Sequence, residues 1–234
     1  MVVEIWSDVV CPWCYIGKRR FEKALAQFEH ANAVDVVWRS FELDPIAPAR
    51  LDIPTSEMLA RKYGLTIERA QEMIDHMTEV AATEGLAFDL GGAQSGNSFD
   101  AHRLIHLAGA RGLQDVAKER LLRAYFVEGL SISDRDTLAK LGTEIGLDAD
   151  DVGEMISGDA YAAEVRRDLE RGRALGITGV PFFVLDGRYG VSGAQPPEAL
   201  VEALDQAWST RKPATALTPL GSDGEHCGDD GCEV

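Results

Sequence analysis

The chain has 234 residues, 45% of them hydrophobic, which suits one large domain or one domain with a large insertion. Its net charge of −16 argues against sequence-independent binding of nucleic acid, a function that needs clustered lysine and arginine. The sequence shows no apolar run long enough to span a membrane and no pattern of a secretory signal, so we expect a cytoplasmic protein with neither membrane nor nucleic-acid partners.

The first 43 residues predict a β-α-β unit. A β-branched and aromatic run over residues 2–6 is typical of a buried strand, and the apolar spacing of residues 14–30 is typical of a helix. A second strand follows at residues 34–38, where nearly continuous apolar character indicates a strand covered on both faces. The sequence Cys-Pro-Trp-Cys at residues 11–14 therefore lies at the junction of the first strand and the first helix.

From about residue 55 to residue 176 the apolar residues recur at helical spacing. Polar residues that can cap a helix mark the expected helix starts, which are Thr66, Asn97–Ser98, Asp134 and Asp159. Further helices are expected over residues 117–125 and, shorter, over residues 149–157.

The strand signal returns after residue 178. The apolar run Val180–Leu185 leads into Asp186-Gly187, a strong signal for a hairpin turn, and Tyr189–Gly193 provides the partner strand. Two prolines open a final helix at residues 197–208.

This order of elements predicts an α/β protein with a thioredoxin-like fold and a large α-helical insertion. Residues 1–54 and 177–208 would form the discontinuous thioredoxin-like domain, and residues 55–176 the helical insertion domain. Residues 209–234, rich in Pro, Gly, Thr, Ser and Asp, would form a flexible acidic tail.

Cys11 and Cys14 are spaced so that both side chains lie on one face of the first helical turn, within reach of a disulfide. The helix N-terminus favours the thiolate, which is the nucleophile. We expect Cys11 to face solvent and attack a substrate, and the more buried Cys14 to resolve the mixed disulfide. The alternatives are two packed thiols or a zinc half-site, which would need two further ligands from elsewhere.

Three segments of the chain resemble the DsbA family of thiol–disulfide oxidoreductases, and in particular its FrnE-like branch. They occur in family order, span about residues 3–205, and read DVVCPWCYIGKRRFEKAL, SGNSFDAHRLIHLA and GITGVPFFVLDGRYGVSGAQPPEAL. The resemblance implies a thioredoxin fold with a helical insertion, disulfide exchange with substrate proteins, and a cis-proline loop opposite the redox pair.

By this resemblance, Val180–Pro181 is the cis-proline dipeptide, and the Val180 backbone beside Cys11 would pair with an extended substrate segment. Pro12 and Trp13, between the cysteines, would also contact substrate. Trp13 departs from the periplasmic DsbA pattern, where a histidine is usual, and brings no positive charge. We therefore expect a higher pKa for the Cys11 thiol and a less oxidising couple than in DsbA.

The second segment has two interpretations. In one, Asn97 or Ser98 caps a helix, Asp100 lies in its first turn and Arg103 is solvated. In the other, Asn97 and its neighbours overhang the redox site and shape a substrate groove. His102 is expected to be a surface or packing residue rather than an acid–base group.

Two other functions remain open. Glutathione-dependent isomerases and transferases, such as 2-hydroxychromene-2-carboxylate isomerase and the kappa-class transferases, are similar to the DsbA family but generally carry a serine at the position of Cys11. The second open function is that of a non-catalytic, chaperone-like binding module. Because Cys14 accompanies Cys11, dithiol exchange is favoured, with no cofactor or metal beyond the redox-active disulfide and with glutathione as a candidate reductant.

The acidic end of the chain, GSDGEHCGDDGCEV, contains Cys227 and Cys232. These two cysteines could form a second redox pair, a zinc site together with His226, or no functional group at all. A tethered dithiol would meet the core at high effective concentration, and the surrounding carboxylates would make it the slower nucleophile.

Overall fold

Strands from the two ends of the chain form a single sheet. The computed structural model describes residues 1–51 and 53–211, and within them the sheet has four strands: β1 (Val2–Ser7), β2 (Asp35–Ser40), β3 (Phe182–Leu185) and β4 (Tyr189–Ser192). Their order is β2-β1-β3-β4, with β1 parallel to β2 and antiparallel to β3, and β3 antiparallel to β4. The expected closure of both strand regions into one sheet is confirmed.

The turn between β3 and β4 has the expected two-residue form. Asp186 and Gly187 both have positive φ, 51° and 66°, as a type I′ hairpin turn requires. At the opposite edge, β2 differs from the expectation of a strand covered on both faces. It is an edge strand in which Trp38 and Ser40 are buried while Val36 and Val37 are only partly covered.

Helices fill the chain between β2 and β3, as expected. The described helices are α1 (Pro12–Gln27), α2 (Thr55–Tyr63), α3 (Ile67–Thr83), α4 (Phe99–Gly109), α5 (Gln114–Phe126), α6 (Arg135–Glu144), α7 (Ala149–Ser157), α8 (Ala162–Ala174) and α9 (Pro197–Ser209). We refer to the segment from α2 to α8 as the helical insertion; its division from the rest as a separate domain stays a prediction. None of the described helices is long and apolar enough to cross a membrane.

Two of the expected helix starts are confirmed by their caps. The Thr66 hydroxyl accepts a hydrogen bond from the Arg69 N–H, and the Asp134 carboxylate accepts one from Thr137. The expected start at Asp159 is wrong by three residues, because Tyr161 adopts a left-handed φ of 63° immediately before α8.

The central strand β1 is covered on both faces, and this fixes the position of its carboxyl end. Val3 and Ile5 belong to the main core, whereas Trp6 points the other way into a small cluster with Ile177 and Val184. Helices α1 and α9 lie against each other, and the Phe28 ring at the end of α1 meets the Trp208 ring edge-on at 5.8 Å. The chain leaves β1 directly into α1, and the candidate site lies at that junction.

Candidate redox site

Cys11 and Cys14 occupy the first turn of α1. Cys11 is the N-cap residue, Pro12 is the first helical residue, and the Cys14 N–H donates to the Cys11 carbonyl oxygen at 3.0 Å. Both thiols are free, and both side chains are buried, with 4% of Cys11 and none of Cys14 exposed. The expectation that Cys11 faces open solvent is therefore wrong, because the loop before β3 covers it.

That covering loop contains Val180 and Pro181. The Val180–Pro181 peptide bond is cis, and the Cys11 thiol donates to the Val180 carbonyl oxygen at an Sγ–O distance of 3.5 Å. The loop approaches α1 so closely that a Cβ atom placed on Gly17 would lie 2.8 Å from Pro181 Cγ. The expected cis bond and its position beside Cys11 are confirmed; Gly17, which permits the approach, was missed in the sequence.

A largely apolar groove opens in front of the redox pair, with a volume of about 410 Å³. One side presents Cys11, Pro12, Trp13 and Val180, and Trp13 is 38% exposed. The opposite wall comes from α2 and α3 and contains the methionines Met58, Met73 and Met77 together with Leu59, Tyr63 and Ile74. Among the described residues that line the groove, only Asp44 and Lys62 are charged. The helical insertion therefore forms one wall of the site.

Asn97 lies beside this groove but does not line it among the described residues. Its side-chain oxygen accepts a hydrogen bond from the Phe99 N–H at 2.9 Å, which forms an Asx turn immediately before α4, while the N-cap residue Ser98 makes no side-chain cap hydrogen bond. Arg103, expected in solvent, is buried: its guanidinium donates to the carbonyl oxygens of Gly158 and Ala160, both at 2.8 Å. The connection between α7 and α8 covers that face of α4, so the expectation of a solvated Arg103 is wrong.

Beneath the redox pair lies a buried carboxylate, Asp8, paired with His102. Asp8 accepts hydrogen bonds from the Leu43 N–H at 2.8 Å and from His102 Nε2 at 3.3 Å. Burial alone would raise the pKa of Asp8, but the hydrogen bonds and charge of His102 hold it below its ordinary value. Burial lowers the pKa of His102 despite the opposing effect of Asp8. His102 is thus a buried packing residue rather than a surface one.

Lys118 on α5 was missed in the sequence. Its side chain is 1% exposed, its Nζ donates to the Ser7 carbonyl oxygen at 3.2 Å, and it lies 5.5 Å from the centre of the Trp38 ring. Burial lowers the pKa of Lys118 to about 8, although the two thiols and Asp8 act in the opposite direction. A signal was present, because residues 118, 121, 122 and 125 form the apolar face of α5, and a lysine on such a face is unusual.

The pKa values of the two thiols are shifted in opposite directions. Burial opposes ionisation of Cys14, but the hydrogen bond from Cys11 and the charge of Lys118 hold the pKa of Cys14 below its ordinary value. The hydrogen bond to Cys14, together with burial, raises the pKa of Cys11. Of the two thiols, Cys11 is the one that lines the groove.

Neither a metal centre nor the second cysteine pair can be assigned in the described part of the chain. In residues 1–51 and 53–211 no group of three His, Cys, Asp or Glu side chains is arranged to hold a metal ion. Cys227 and Cys232 lie outside the described residues, so their interpretation as a redox pair or as zinc ligands stays a prediction.

Comparison with known proteins agrees with this geometry. The family model of the DSBA-like thioredoxin domain matches residues 2–205. The crystal structure of a probable DsbA oxidoreductase from Streptomyces coelicolor is 48% identical, with a TM-score of 0.89 and coverage of 100% of this chain and 99% of that one. The uncharacterized protein YwbO of Bacillus subtilis is 26% identical over 86% of this chain and 94% of its own length. The cytosolic disulfide reductase DsbM from Pseudomonas aeruginosa shares the fold at 22% identity, covering 90% of this chain and 100% of that one, with a TM-score of 0.62.

Proposed function

Because the chain belongs to the DSBA-like thioredoxin domain family, we propose that it is a thiol–disulfide oxidoreductase or isomerase acting on protein disulfides through Cys11 and Cys14. One observation carries the proposal: two free thiols share the first turn of a helix, and one of them lies beside the Val180 carbonyl and lines an apolar groove. Dithiol exchange needs a thiol that borders the substrate groove and a second thiol on the same helical turn.

Cys11, the thiol that lines the groove, makes the first attack. The Cys11 thiolate attacks one sulfur of a substrate disulfide, the Cys11–substrate disulfide forms, and the other substrate sulfur leaves as a thiolate. Cys14 then attacks the Cys11 sulfur and releases the second substrate thiolate. Two electrons have passed to the substrate, and the protein holds a Cys11–Cys14 disulfide. The same steps in reverse oxidise a substrate dithiol.

The Cys11 thiol must lose its proton before it attacks. Cys11 is the N-cap residue of α1, where the unpaired N–H groups and the partial positive charge of the helix N-terminus favour a thiolate. When Cys11 is bound in the mixed disulfide, the substrate thiolate that has left can take the Cys14 proton, and the Cys14 thiolate then resolves the intermediate.

The groove favours protein segments with apolar side chains. Methionine side chains adapt to differently shaped apolar partners, and three of them line the wall formed by α2 and α3. Pro12, Trp13, Val180 and Pro181 would contact the substrate backbone and the side chains next to its cysteine. Asn97 would act on this surface only through the turn that it forms before α4.

The proposal also includes glutathione as the reductant and the cytoplasm as the compartment. Few cysteines, used in pairs rather than as a disulfide scaffold, favour a cytoplasmic protein. The resemblance of the three sequence segments favours the FrnE-like branch, and glutathione is the proposed reductant.

The test is reduction of insulin disulfides in the presence of glutathione. Cys11→Ser should abolish turnover, and Cys14→Ser should accumulate a mixed disulfide that mass spectrometry detects, because the resolving thiol is gone. Full turnover by Cys11→Ser would contradict the proposal. Turnover of a small glutathione conjugate without insulin reduction would favour the isomerase or transferase class. Suppression of aggregation by a double serine variant, with no turnover by the unmodified chain, would favour a chaperone-like module.

A further inference from the structure

Asp8 carries a buried carboxylate that the exchange steps do not use. Its side chain has no exposed surface, and it begins the turn formed by residues 8–11 between β1 and α1, which we call the redox turn. The Cys11 N–H donates to the Asp8 carbonyl oxygen at 3.4 Å, so the backbone of Asp8 is part of this turn. A buried carboxylate is costly unless hydrogen bonds replace the lost water, and the partners of Asp8 show which segments it joins.

Groups from three segments of the chain surround this carboxylate. One oxygen accepts a hydrogen bond from the Leu43 N–H at 2.8 Å, and Leu43 belongs to the chain that leaves β2. The other oxygen lies 3.3 Å from His102 Nε2 on α4 and 3.5 Å from the N–H of Val10, the residue before Cys11. The Asp8 side chain therefore joins the redox turn, the chain after β2 and the helical insertion at one point.

The chain after β2, residues 41–51, forms the rim of the groove, and we call it the rim loop. Its residues that line the groove are Leu43, Asp44, Ala47, Pro48 and Leu51. The far end of the rim loop is bonded to the segment that leads into α4: the Asn97 N–H donates to the Pro48 carbonyl oxygen at 3.0 Å, and the Leu51 N–H donates to the Ser95 carbonyl oxygen at 2.9 Å. The helical insertion thus holds one end of the rim loop.

The near end of the rim loop is bonded to Asp8. Within the described chain, the other hydrogen bonds of residues 43–47 are local and go to Asp44, and Ile46 is 90% exposed. Leu43 lies at the mouth of the groove with 39% of its surface exposed. Its position relative to Cys11 therefore depends on the bond between its N–H and the Asp8 carboxylate.

We propose that Asp8 is a positioning residue of the redox site: through Leu43 it holds the rim loop against Cys11 and so favours extended protein disulfides over small disulfides. The inference rests on the proposed disulfide exchange at Cys11 and adds a determinant of its substrate preference. Within the described residues the carboxylate makes no hydrogen bond to either thiol, so it acts on substrate binding through the rim loop. A protein segment bound across Cys11 contacts the rim loop, whereas a small disulfide reaches the Cys11 sulfur without it.

The experiment compares Asp8→Ala, Asp8→Asn and Asp168→Ala in the full chain. Asp168 is the matched control, because it is 3% exposed, accepts the Ser40 N–H at 3.0 Å and lies 3.1 Å from Nε2 of His106, also on α4. Among the described residues that line the groove, none of these three occurs. Steady-state kinetics with glutathione are measured for insulin and for bis(2-hydroxyethyl) disulfide. Any change in the reactivity of Cys11 acts on both substrates alike, so the ratio of their kcat/KM values isolates the effect of the rim loop.

Asp8→Ala should raise the KM for insulin about fivefold or more at nearly unchanged kcat, and it should change kcat/KM for the small disulfide by less than about twofold. Asp8→Asn, whose amide oxygen can still accept the Leu43 N–H, should restore part of the ratio, and Asp168→Ala should leave the ratio unchanged. Equal losses for both substrates in Asp8→Ala, or the same change of ratio in Asp168→Ala, would overturn the inference.

A second measurement needs neither a variant nor a substrate. In the unmodified chain, amide hydrogen exchange followed by NMR should be at least about tenfold slower for the Leu43 N–H than for the Ile46 N–H, after correction for their sequence context. The acceptor of the Leu43 N–H is a buried carboxylate, whereas that of the Ile46 N–H is the exposed Asp44. Equal exchange rates would overturn the inference even if Asp8→Ala does not fold. Insulin reduction by the unmodified chain tests the proposed function, so the two can fail separately.

Discussion

Trp13 stands between the two cysteines at the mouth of the groove, and it distinguishes this redox pair from one with a histidine at that position. Trp13→His places a partly charged imidazole beside Cys11, so we expect the equilibrium with glutathione to shift toward the reduced pair by about threefold to tenfold. Trp13→Phe, which keeps an apolar ring, should leave the equilibrium nearly unchanged. An equal shift in both variants would mean that the contacts of the ring, and not charge, control the couple.

His102 makes the stability of the fold depend on pH. In the folded chain burial lowers its pKa below the ordinary value, whereas an unfolded histidine titrates near about 6.5. As the pH falls through that value, the unfolded chain takes up a proton that the folded chain does not. The free energy of unfolding should therefore fall by up to about 1.4 kcal/mol per pH unit, until the pH reaches the folded pKa.

Urea unfolding at about pH 7.5 and about pH 5.5 checks this expectation, since the two values bracket the unfolded histidine. In His102→Gln, which keeps a donor for Asp8, the loss of stability between the two pH values should be smaller. The exposed His76 on α3 is the control, and His76→Gln should behave as the unmodified chain. An undiminished loss in His102→Gln would assign the pH dependence to other groups.

For individual residues, the sequence predicts those that a motif defines and misses those whose position depends on tertiary contacts. Cys11, Cys14 and the cis Val180–Pro181 bond follow from local patterns and the family resemblance. The burial of Arg103 depends on where the connection between α7 and α8 lies, and the burial of Lys118 depends on the position of α5 against the end of β1. Spacing along the chain carries little information about such contacts.

Among the elements, the approach of α1 to the loop before β3 is the contact that assembles the site. Gly17→Ala would place a Cβ atom 2.8 Å from Pro181 Cγ, so the loop must move away from α1. We expect a loss of stability of about 1–3 kcal/mol and slower disulfide exchange, because the Val180 carbonyl moves away from Cys11. Thermal unfolding and insulin reduction measure the two effects.

Gly153 provides the matched control. It lies inside α7, and a Cβ atom placed there meets nothing within 4 Å, so Gly153→Ala should raise stability by up to about 1 kcal/mol and leave exchange unchanged. If Gly17→Ala also stabilised the chain without affecting exchange, the close approach would have no functional role.

Element starts were predictable where a side chain supplies the cap. Thr66 and Asp134 mark α3 and α6 through hydrogen bonds to backbone N–H groups of the first turn. The start of α8 was misplaced because Tyr161 takes a left-handed conformation that large side chains seldom adopt. The helix expected from residue 14 to residue 30 begins earlier and ends sooner, since Pro12 opens α1 and the chain turns out of it at Phe28.

For the whole molecule, the position at which the described chain ends sets the distance that the acidic C-terminal residues must span to reach Cys11. Trp208 lies beside Phe28 and His30, so the described chain ends at the end of α1 remote from Cys11. Sixteen helical residues separate those ends by roughly 24 Å. Cys227 follows Arg211 by sixteen residues, whose extended length of roughly 50 Å exceeds that separation. The segment between Arg211 and Cys227 is therefore long enough for the proposed second redox pair to reach Cys11 and Cys14.

Deletion of residues 222–234 tests that pair. If it passes electrons to or from Cys11 and Cys14, the deletion should lower insulin turnover with glutathione severalfold, and the double variant Cys227→Ser/Cys232→Ser in the full chain should reproduce the loss. Unchanged turnover together with an unchanged equilibrium constant for the Cys11–Cys14 couple would contradict the shuttle. Stoichiometric metal that is lost on deletion would favour the zinc interpretation.

The pairing of β1 with β3 also has a consequence for biosynthesis. Val3 of β1 pairs with Leu185 of β3, so β1 cannot form this pairing until the ribosome has synthesised β3. A ribosome adding about 5–20 residues per second needs roughly 10–30 seconds to travel from Cys14 to β3. During that interval the nascent chain lacks the loop that covers Cys11. In newly made molecules Cys11 therefore lacks the cover that this loop provides in the folded chain.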